Sequence, residues 1–152
     1  MLQQRSIVKI LEKIDPPVVT IETNATQPLK EFKNVTLFPI IHMSCSPKLF
    51  SVSGEKDAIK LDVLKQYYDF ADTGCLKFVH NGTQQAWDEL DGVMDKIHPH
   101  LKEWSFWVMP VGSTAESQQP NFLGKIAMDA MKRGFNVSMR THIQAFGNQI
   151  GT

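Results

Sequence analysis

The sequence predicts an α/β domain with a parallel sheet. Short segments rich in β-branched residues alternate with segments whose apolar residues recur at helical spacing. Most of the predicted strands are separated by helices of about 10 to 15 residues, which is typical of parallel βαβ crossovers. Such an order produces either a doubly wound sheet or part of a (β/α) barrel. The 152 residues, with a hydrophobic content of 42%, suffice for a single domain, 1–152, with its own core.

The chain begins with a predicted helix followed by two strands. Apolar residues from Leu2 to Ile14 keep helical spacing, and Asp15-Pro16-Pro17 ends the helix because proline cannot donate the next backbone hydrogen bond. The β-branched residues of VVTIET (18–23) and TLFPIIHMSCS (36–46) predict two strands. Pro39 is expected to mark an irregularity in the second strand, since proline removes a donor from the ladder.

Helices and strands alternate through the middle of the chain. The apolar positions within 58–71 predict a helix, which Gly74 is expected to end in a left-handed conformation before the strand LKFVH (76–80). Thr83 is the predicted N-cap of the next helix, because its hydroxyl can accept a bond from the first turn. The apolar positions of that helix, within 87–101, keep a spacing of three and four residues.

The last predicted elements are a strand, a helix and a closing strand. WSFWVMP (104–110) predicts the first of these, and the apolar positions within 122–131 predict the helix, which ends at Gly134. In the closing strand, 135–144, side chains alternate between two faces. The polar face would carry Asn136, Ser138, Arg140, His142 and Gln144. This face is either exposed to solvent at a sheet edge or lines a cavity that holds a polar ligand.

Composition narrows the possible functions. Acidic and basic residues number 16 each, so no net field attracts nucleic acid or an anionic membrane, and neither is an expected partner. No apolar run is long enough for an export signal or a membrane span, and we therefore interpret the protein as cytoplasmic. Cys45 and Cys75 are far apart and form no CxxC pair, which favours buried free thiols over a disulfide or a zinc site.

Polar residues end several of the predicted strands. These ends are Glu22-Thr23-Asn24, Ser44-Cys45-Ser46-Pro47-Lys48, Met109 to Gly112, and Arg140-Thr141-His142. In parallel α/β proteins the ligand lies beyond the carboxyl ends of the strands. Each group alone also fits an ordinary solvated strand end, an exposed turn or an edge strand. Together they favour a concave site for a polar, planar or carboxylated ligand.

Five segments, taken in order, resemble one known enzyme family. They are IETNAT (21–26), SPK (46–48), LKFV (76–79), WVMPVG (107–112) and RTHIQAFGNQIGT (140–152). Their succession is similar to the C-terminal portion of 7-carboxy-7-deazaguanine synthase, a radical S-adenosylmethionine enzyme. The resemblance implies a partial, six-stranded (β/α) barrel with parallel strands. It also implies conversion of 6-carboxy-5,6,7,8-tetrahydropterin into 7-carboxy-7-deazaguanine with loss of ammonia, a lyase step toward queuosine and related 7-deazapurines.

The resemblance also implies which residues bind ligands. The residues expected around the pterin substrate are Glu22, Asn24, Thr26, Arg140, His142 and Gln144. Those expected along the S-adenosylmethionine cofactor are Ser46, Lys48, Met109, Pro110 and Val111. Directional hydrogen bonds from such side chains can read the donors, acceptors and carboxylate of a pterin. Family members also use a [4Fe-4S] cluster and Mg²⁺. The cluster is not expected in this chain alone.

Two features depart from the family pattern. Ala25 occupies a position where the family usually has glycine, which leaves close backbone approach to the substrate in doubt. The family also needs three closely spaced cysteines for its cluster, whereas this sequence has two cysteines in all. Reductive cleavage of the cofactor by this chain alone is therefore not expected, and no metal ligands are assigned.

Other interpretations follow from these departures. The chain could be a non-catalytic module that binds a pterin or nucleoside, or a vestigial fragment. An unrelated metabolic enzyme that uses Glu22 and His142 for acid–base chemistry is a further alternative. If the first two strands of the family's sheet are missing, the VVTIET strand (18–23) exposes an edge, and we expect it to pair in a homodimer or with an N-terminal partner segment.

Overall fold

The computed structural model describes residues 3–32, 39–112 and 119–146. The elements in chain order are α1 (Gln4–Ile14), β1 (Val18–Thr23), β2 (Ile40–Cys45), α2 (Phe50–Ser53), α3 (Leu61–Phe70), β3 (Thr73–His80), α4 (Gln84–Ile97), β4 (Ser105–Pro110), α5 (Pro120–Lys132), β5 (Asn136–Val137) and α6 (Thr141–Phe146). The predicted alternation of helices and strands is confirmed, and the short helices α2 and α6 are added to it. The beginning of the predicted strand 36–46, before residue 39, lies outside the described residues.

The five strands form one open sheet in the order β1-β2-β3-β4-β5. Each strand pairs in parallel with the next one along the chain. The predicted α/β class with a parallel sheet is therefore confirmed. Because all strands run the same way, their carboxyl ends lie along a single edge of the sheet. Among the described helices, none combines the length and apolarity that crossing a bilayer requires.

The two faces of the sheet differ in chemistry. One face supplies core residues, among them Ile41, Met43, Leu76, Phe78 and Val108, which pack with buried side chains of the helices. A buried aliphatic or aromatic side chain of this kind contributes about 1.5 to 3 kcal/mol of transfer free energy. Strand residues of the other parity, such as Thr20, Ser44 and Lys77, project from the opposite face. We call this opposite side the polar face.

Helix α1 is fixed to the loop after β1 by a buried glutamine. Gln4 Nε2 donates to the Pro28 carbonyl at 2.7 Å, and Gln4 Oε1 accepts from the backbone N–H groups of Lys30 at 2.7 Å and Glu31 at 3.2 Å. Gln4 is only 6% exposed, so these bonds replace water that the side chain cannot reach. The loop that leaves the carboxyl end of β1 is held in place by this contact.

Several helix ends follow the local signals in the sequence. The Thr83 hydroxyl accepts a bond from the Ala86 N–H at 3.3 Å, as expected of the N-cap of α4. Gly134, which follows α5, has a φ of 79°, a left-handed conformation that glycine adopts without a steric penalty. Asp15 ends α1 in the left-handed region with its N–H bonded to the Leu11 carbonyl. These predictions are confirmed.

Gly74 does not end a helix, which corrects the prediction from the sequence. Helix α3 stops at Phe70 with extended backbone at Ala71, and Gly74 lies inside β3. A Cβ atom at this position would lie 2.3 Å from Cε2 of Trp104. The glycine is needed because the Trp104 ring lies directly on the strand backbone. Trp104 is buried, whereas Met128 and Met131 of helix α5 are exposed.

The closing strand is shorter than the sequence predicts. Asn136 and Val137 pair with β4, one further bond runs from the Ser138 N–H to the Val108 carbonyl at 2.9 Å, and residues 141–146 form helix α6. The alternation of polar and apolar residues therefore does not continue as a strand to residue 144. Met139, Ile143 and Phe146 follow one another at spacings of four and three, which fits a helix as well as alternation fits a strand. His142 and Gln144 belong to α6, and their side chains lie outside what the structure describes.

Candidate functional site

A cavity of about 520 Å³ lies at the carboxyl edge of the sheet, on its polar face. Residues from or directly after β1, β2, β3, β4 and β5 line it: Glu22, Thr23, Asn24, Ser44, Ser46, Lys48, Lys77, Met109, Ser138, Met139 and Arg140. Its volume falls in the range of about 300 to 1,000 Å³ that is typical of small-molecule sites. The position is the one at which parallel α/β proteins bind their ligands.

The cavity brings together residues from both predicted groups. From the predicted substrate group, it is lined by Glu22, Asn24 and Arg140. From the predicted cofactor group, it is lined by Ser46, Lys48 and Met109. These residues are separated by up to 118 positions in the sequence, and the parallel sheet places them around one space. At least one residue of each of the four polar strand ends therefore lines this cavity.

Thr26 lies beside this cavity in a smaller depression of about 370 Å³. Its hydroxyl donates to Asn24 Oδ1 at 3.0 Å, so it orients the amide at the cavity rim. Between them, Ala25 has a φ of 57° and is 1% exposed. An alanine in the left-handed conformation costs about 1 to 2 kcal/mol, a cost that glycine would not carry at this position. The Ala25 N–H donates to Thr23 Oγ1 at 3.1 Å, which stabilises the turn.

Two predicted cofactor residues do not line the cavity. Pro110 is buried on the core side of β4. Its register partner His80 is one of the alternating β3 residues whose side chains face the core. The backbone N–H of Val111 donates to the His80 carbonyl at 2.8 Å and extends the pairing of β3 with β4. Of the predicted cofactor segment, Met109 alone is thus directed to the cavity. For His142 and Gln144 the structure describes the backbone only.

The described cavity wall carries more positive than negative charge. Lys48, Lys77 and Arg140 face a single carboxylate, Glu22. Lys77 Nζ lies 3.9 Å from Glu22 Oε1, and the Glu22 side chain is 79% exposed, so this pair contributes little to stability. Arg140 Nη1 donates to the Gly112 carbonyl at 2.9 Å, which fixes the guanidinium at the mouth. The cavity is suited to an anionic group.

Five residues that line the cavity were not among the predicted ligand contacts: Thr23, Ser44, Lys77, Ser138 and Met139. A signal for Lys77 does exist in the strand LKFVH (76–80). Leu76, Phe78 and His80 are buried with the core, and the intervening lysine must project from the other face. A lysine in the central strand of a parallel sheet is unusual, since such strands are commonly apolar throughout.

The cysteines do not fit an iron–sulfur cluster. Cys45 pairs in register with Leu76 on the core side, whereas Cys75 pairs with Ser44 on the polar face. The two thiols therefore lie on opposite faces of the sheet, and three cysteines on one loop would be needed. Among the described residues, no group of three or more His, Cys, Asp or Glu could hold a metal ion.

A second cavity, of about 560 Å³, lies near the amino ends of β4 and β5. Its wall includes Met94, Phe106 and Phe135, together with Asp91 and Arg133, which are bonded to each other at 3.3 Å. It is slightly larger than the first cavity. It lies at the edge of the sheet where ligands of parallel α/β proteins do not normally bind, so we assign the candidate site to the carboxyl edge.

Comparison of the chain with protein-family models, with curated proteins and with solved structures found no match.

Proposed function

We propose that the cavity at the carboxyl edge binds a small, flat heterocycle that carries a carboxylate. The chain would act as the substrate-binding portion of an enzyme similar to 7-carboxy-7-deazaguanine synthase, with 6-carboxytetrahydropterin as the substrate. The observation that carries this proposal is the convergence of Glu22, Asn24 and Arg140 around one cavity. All three are among the six residues that the family resemblance implies around a pterin.

The chemistry of the cavity wall supports a ligand of this type. A carboxylate is attracted by the ammonium of Lys77 and the guanidinium of Arg140, which can also donate hydrogen bonds to it. A pterin ring offers alternating donors and acceptors, which Asn24 and Glu22 can match with one carboxamide and one carboxylate. An uncharged, apolar ligand would leave these groups without partners and would bind weakly.

The order of the strands supports a barrel segment. In a (β/α) barrel each parallel strand pairs with the next one along the chain, whereas a doubly wound sheet reverses its strand order. Each of the five described strands pairs with the next strand along the chain, as in a barrel. Barrel enzymes bind their substrates at the carboxyl ends of the strands, and that is where the cavity lies.

In this proposal the chain binds and orients ligands and does not itself reduce S-adenosylmethionine. Bound S-adenosylmethionine would supply an adenosyl radical after reduction, and Ser46, Lys48 and Met109 would hold it in the cavity. Because Cys45 and Cys75 lie on opposite faces of the sheet, the described residues cannot hold the cluster that delivers the electron. The cluster would have to be held by another segment or chain. We therefore assign substrate binding to this chain.

Titration calorimetry under anaerobic conditions tests the proposal. We expect 6-carboxytetrahydropterin to bind, and tetrahydropterin without the carboxylate to bind at least about tenfold more weakly, as expected when a charged partner is lost. Lys77→Met should weaken binding of the carboxylated ligand by about 1 to 3 kcal/mol. Lys102→Met is the matched control, since Lys102 is exposed in the turn before β4. Equal binding of the two ligands, or binding of neither, would contradict the proposal.

We also propose that β1 pairs with β1 of a second copy of this chain. In the described sheet β1 is hydrogen-bonded to β2 alone, so its other side presents unpaired backbone groups. Exposed apolar side chains lie at the start of this strand and beside it, with Val18 57%, Ile14 65% and Ile40 54% exposed. Contact with another chain would cover both the backbone groups and these side chains.

Sedimentation equilibrium at micromolar concentrations tests this pairing. Wild-type protein is expected to dimerise, and Thr20→Pro should shift it toward monomer, since proline removes a strand donor. A wild-type monomer throughout this range would contradict pairing between copies. A monomer that forms a stable complex with a separate segment carrying a cysteine triad would assign the edge to that segment instead.

A further inference from the structure

A cysteine and a histidine lie side by side on the polar face of the sheet, on β3 and β2. In the register of these strands His42 pairs with Thr73, and Ser44 pairs with Cys75. The four residues therefore share one face. Ser44 lines the cavity at the carboxyl edge, so Cys75 lies directly beside a residue of the cavity wall.

The geometry around His42 is that of an oriented base beside a thiol. His42 Nε2 lies 3.8 Å from Cys75 Sγ, and His42 Nδ1 lies 2.8 Å from Thr73 Oγ1. When Nδ1–H donates to the threonine hydroxyl, Nε2 carries no proton and can accept the proton of the thiol. A nucleophile, a base and a group that orients the base are the parts of an activated cysteine.

The other cysteine of the chain lies in a contrasting environment. Cys45 is fully buried on the core side, and burial raises the pKa of its thiol to about 12. Cys75 is 5% exposed, and its neighbour His42 is partly exposed on the polar face. Cys75 thus keeps a small exposed fraction on the face that also forms the cavity, whereas Cys45 is enclosed by packed side chains. Cys45 thus serves as an internal control.

We propose that Cys75 is a reactive thiol, activated by His42, which is oxidised by a small peroxide. His42 accepts the thiol proton, and the thiolate sulfur attacks one oxygen of hydrogen peroxide. The O–O bond breaks, the sulfur is oxidised to a sulfenic acid, and the peroxide is reduced to hydroxide, which takes the proton from His42 and leaves as water. Cys45 lies on the opposite face and is not placed to form a disulfide with the product.

Trapping of the sulfenic acid tests this inference on the full chain. The protein is treated with hydrogen peroxide in the presence of dimedone, and mass spectrometry of the peptides measures modification at each cysteine over time. We expect Cys75 to be labelled at least about tenfold faster than Cys45, because only a thiolate reacts readily. His42→Gln should slow labelling of Cys75 at least about tenfold, since it removes the base.

Two controls separate activation from simple exposure. Thr73→Val keeps the imidazole but loses the group that orients it, and it should slow labelling of Cys75 less than His42→Gln does. In urea both cysteines should react at similar rates. The inference is overturned if the folded protein labels both cysteines equally. It is also overturned if the His42→Gln and Thr73→Val variants, shown to be folded by circular dichroism, react like the wild type. If His42→Gln fails to fold, two measurements still test the inference. They are the labelling rate of Cys75 in Thr73→Val and the ratio of the labelling rates of Cys75 and Cys45 in the wild type.

Discussion

Gly74→Ala tests the close contact between β3 and the ring of Trp104. The added Cβ would lie 2.3, 2.5 and 2.7 Å from three carbons of this ring. Carbon atoms in contact normally lie about 3.5 to 4.0 Å apart, so the overlap exceeds about 1 Å. Trp104 is 5% exposed and packs against Tyr68 at a centroid distance of 5.7 Å. The ring therefore cannot move aside without losing buried contacts.

The expected cost follows from the two ways in which the overlap can be relieved. Overpacking that is absorbed by small shifts costs about 1 to 3 kcal/mol, and loss of a buried tryptophan from a core costs about 3 to 5 kcal/mol. We expect Gly74→Ala to lower the free energy of unfolding by about 2 to 4 kcal/mol, a large part of the stability of a typical domain. Urea denaturation followed by tryptophan fluorescence measures this change.

Gly92→Ala is the matched control for the same chemical change. Gly92 lies inside α4, and a Cβ there would meet nothing within 4 Å. Alanine favours the helix by about 0.5 to 1 kcal/mol over glycine, so this variant should be more stable than the wild type. In a Trp104→Leu background the cost of Gly74→Ala should shrink, because the obstructing ring is gone. A Gly74→Ala variant as stable as the wild type would refute the contact.

Three further predictions concern a buried histidine, a buried glutamine and a helix cap. Burial lowers the pKa of His80 from 6.5 to about 4, so the unfolded chain binds the proton first as the pH falls. The contribution of His80 to stability should be constant above about pH 7 and decline from there toward pH 4, by roughly 1 kcal/mol at pH 5.5, and urea unfolding of His80→Gln should show a flatter profile. Gln4→Ala should cost about 2 to 3 kcal/mol in the same assay, because it leaves the N–H groups of Lys30 and Glu31 without their acceptor. Thr83→Ala should cost about 1 kcal/mol while Thr83→Ser costs less; equal losses would show that the hydroxyl does not cap α4.

Features determined by neighbouring residues were predictable from the sequence. The hydroxyl of Thr83 caps α4, and Gly134 adopts the positive φ that follows α5, because both depend on the chain within one turn. The parallel arrangement was predictable for a related reason. A helix between two strands leaves the second strand parallel to the first, as α4 does between β3 and β4.

Features determined by distant contacts were not predictable. The space beside Gly74 is filled by Trp104, which lies 30 residues further along the chain, and a glycine after a helix looks locally like a helix end. The segment after Val137 satisfies both strand and helix spacing, and pairing with β4 ends there without a local signal. Arg140 is held by the carbonyl of Gly112 across 28 positions. No periodicity encodes such a bond.

The candidate site shows the same division. Glu22, Asn24 and Met109 were predictable because strand ends can be located in the sequence and parallel strands bring their ends to one edge. The sequence located Ser44 at a strand end and Ser138 on a polar face, but their positions in the wall of one cavity depend on the register of the strands. Lys77 could be assigned to the face opposite the core, but not to a position 3.9 Å from Glu22.

A titration of the ¹⁵N-labelled protein with 6-carboxytetrahydropterin, followed by amide chemical shifts, tests the central claim most directly. We predict saturable shifts at residues 22–24, 44–46 and 138–140, which border the cavity at the carboxyl edge. Amides near the second cavity, within 91–98, should stay unchanged. Shifts confined to 91–98, or none at millimolar ligand, would contradict the assignment of a carboxylate-binding site to the carboxyl ends of these strands.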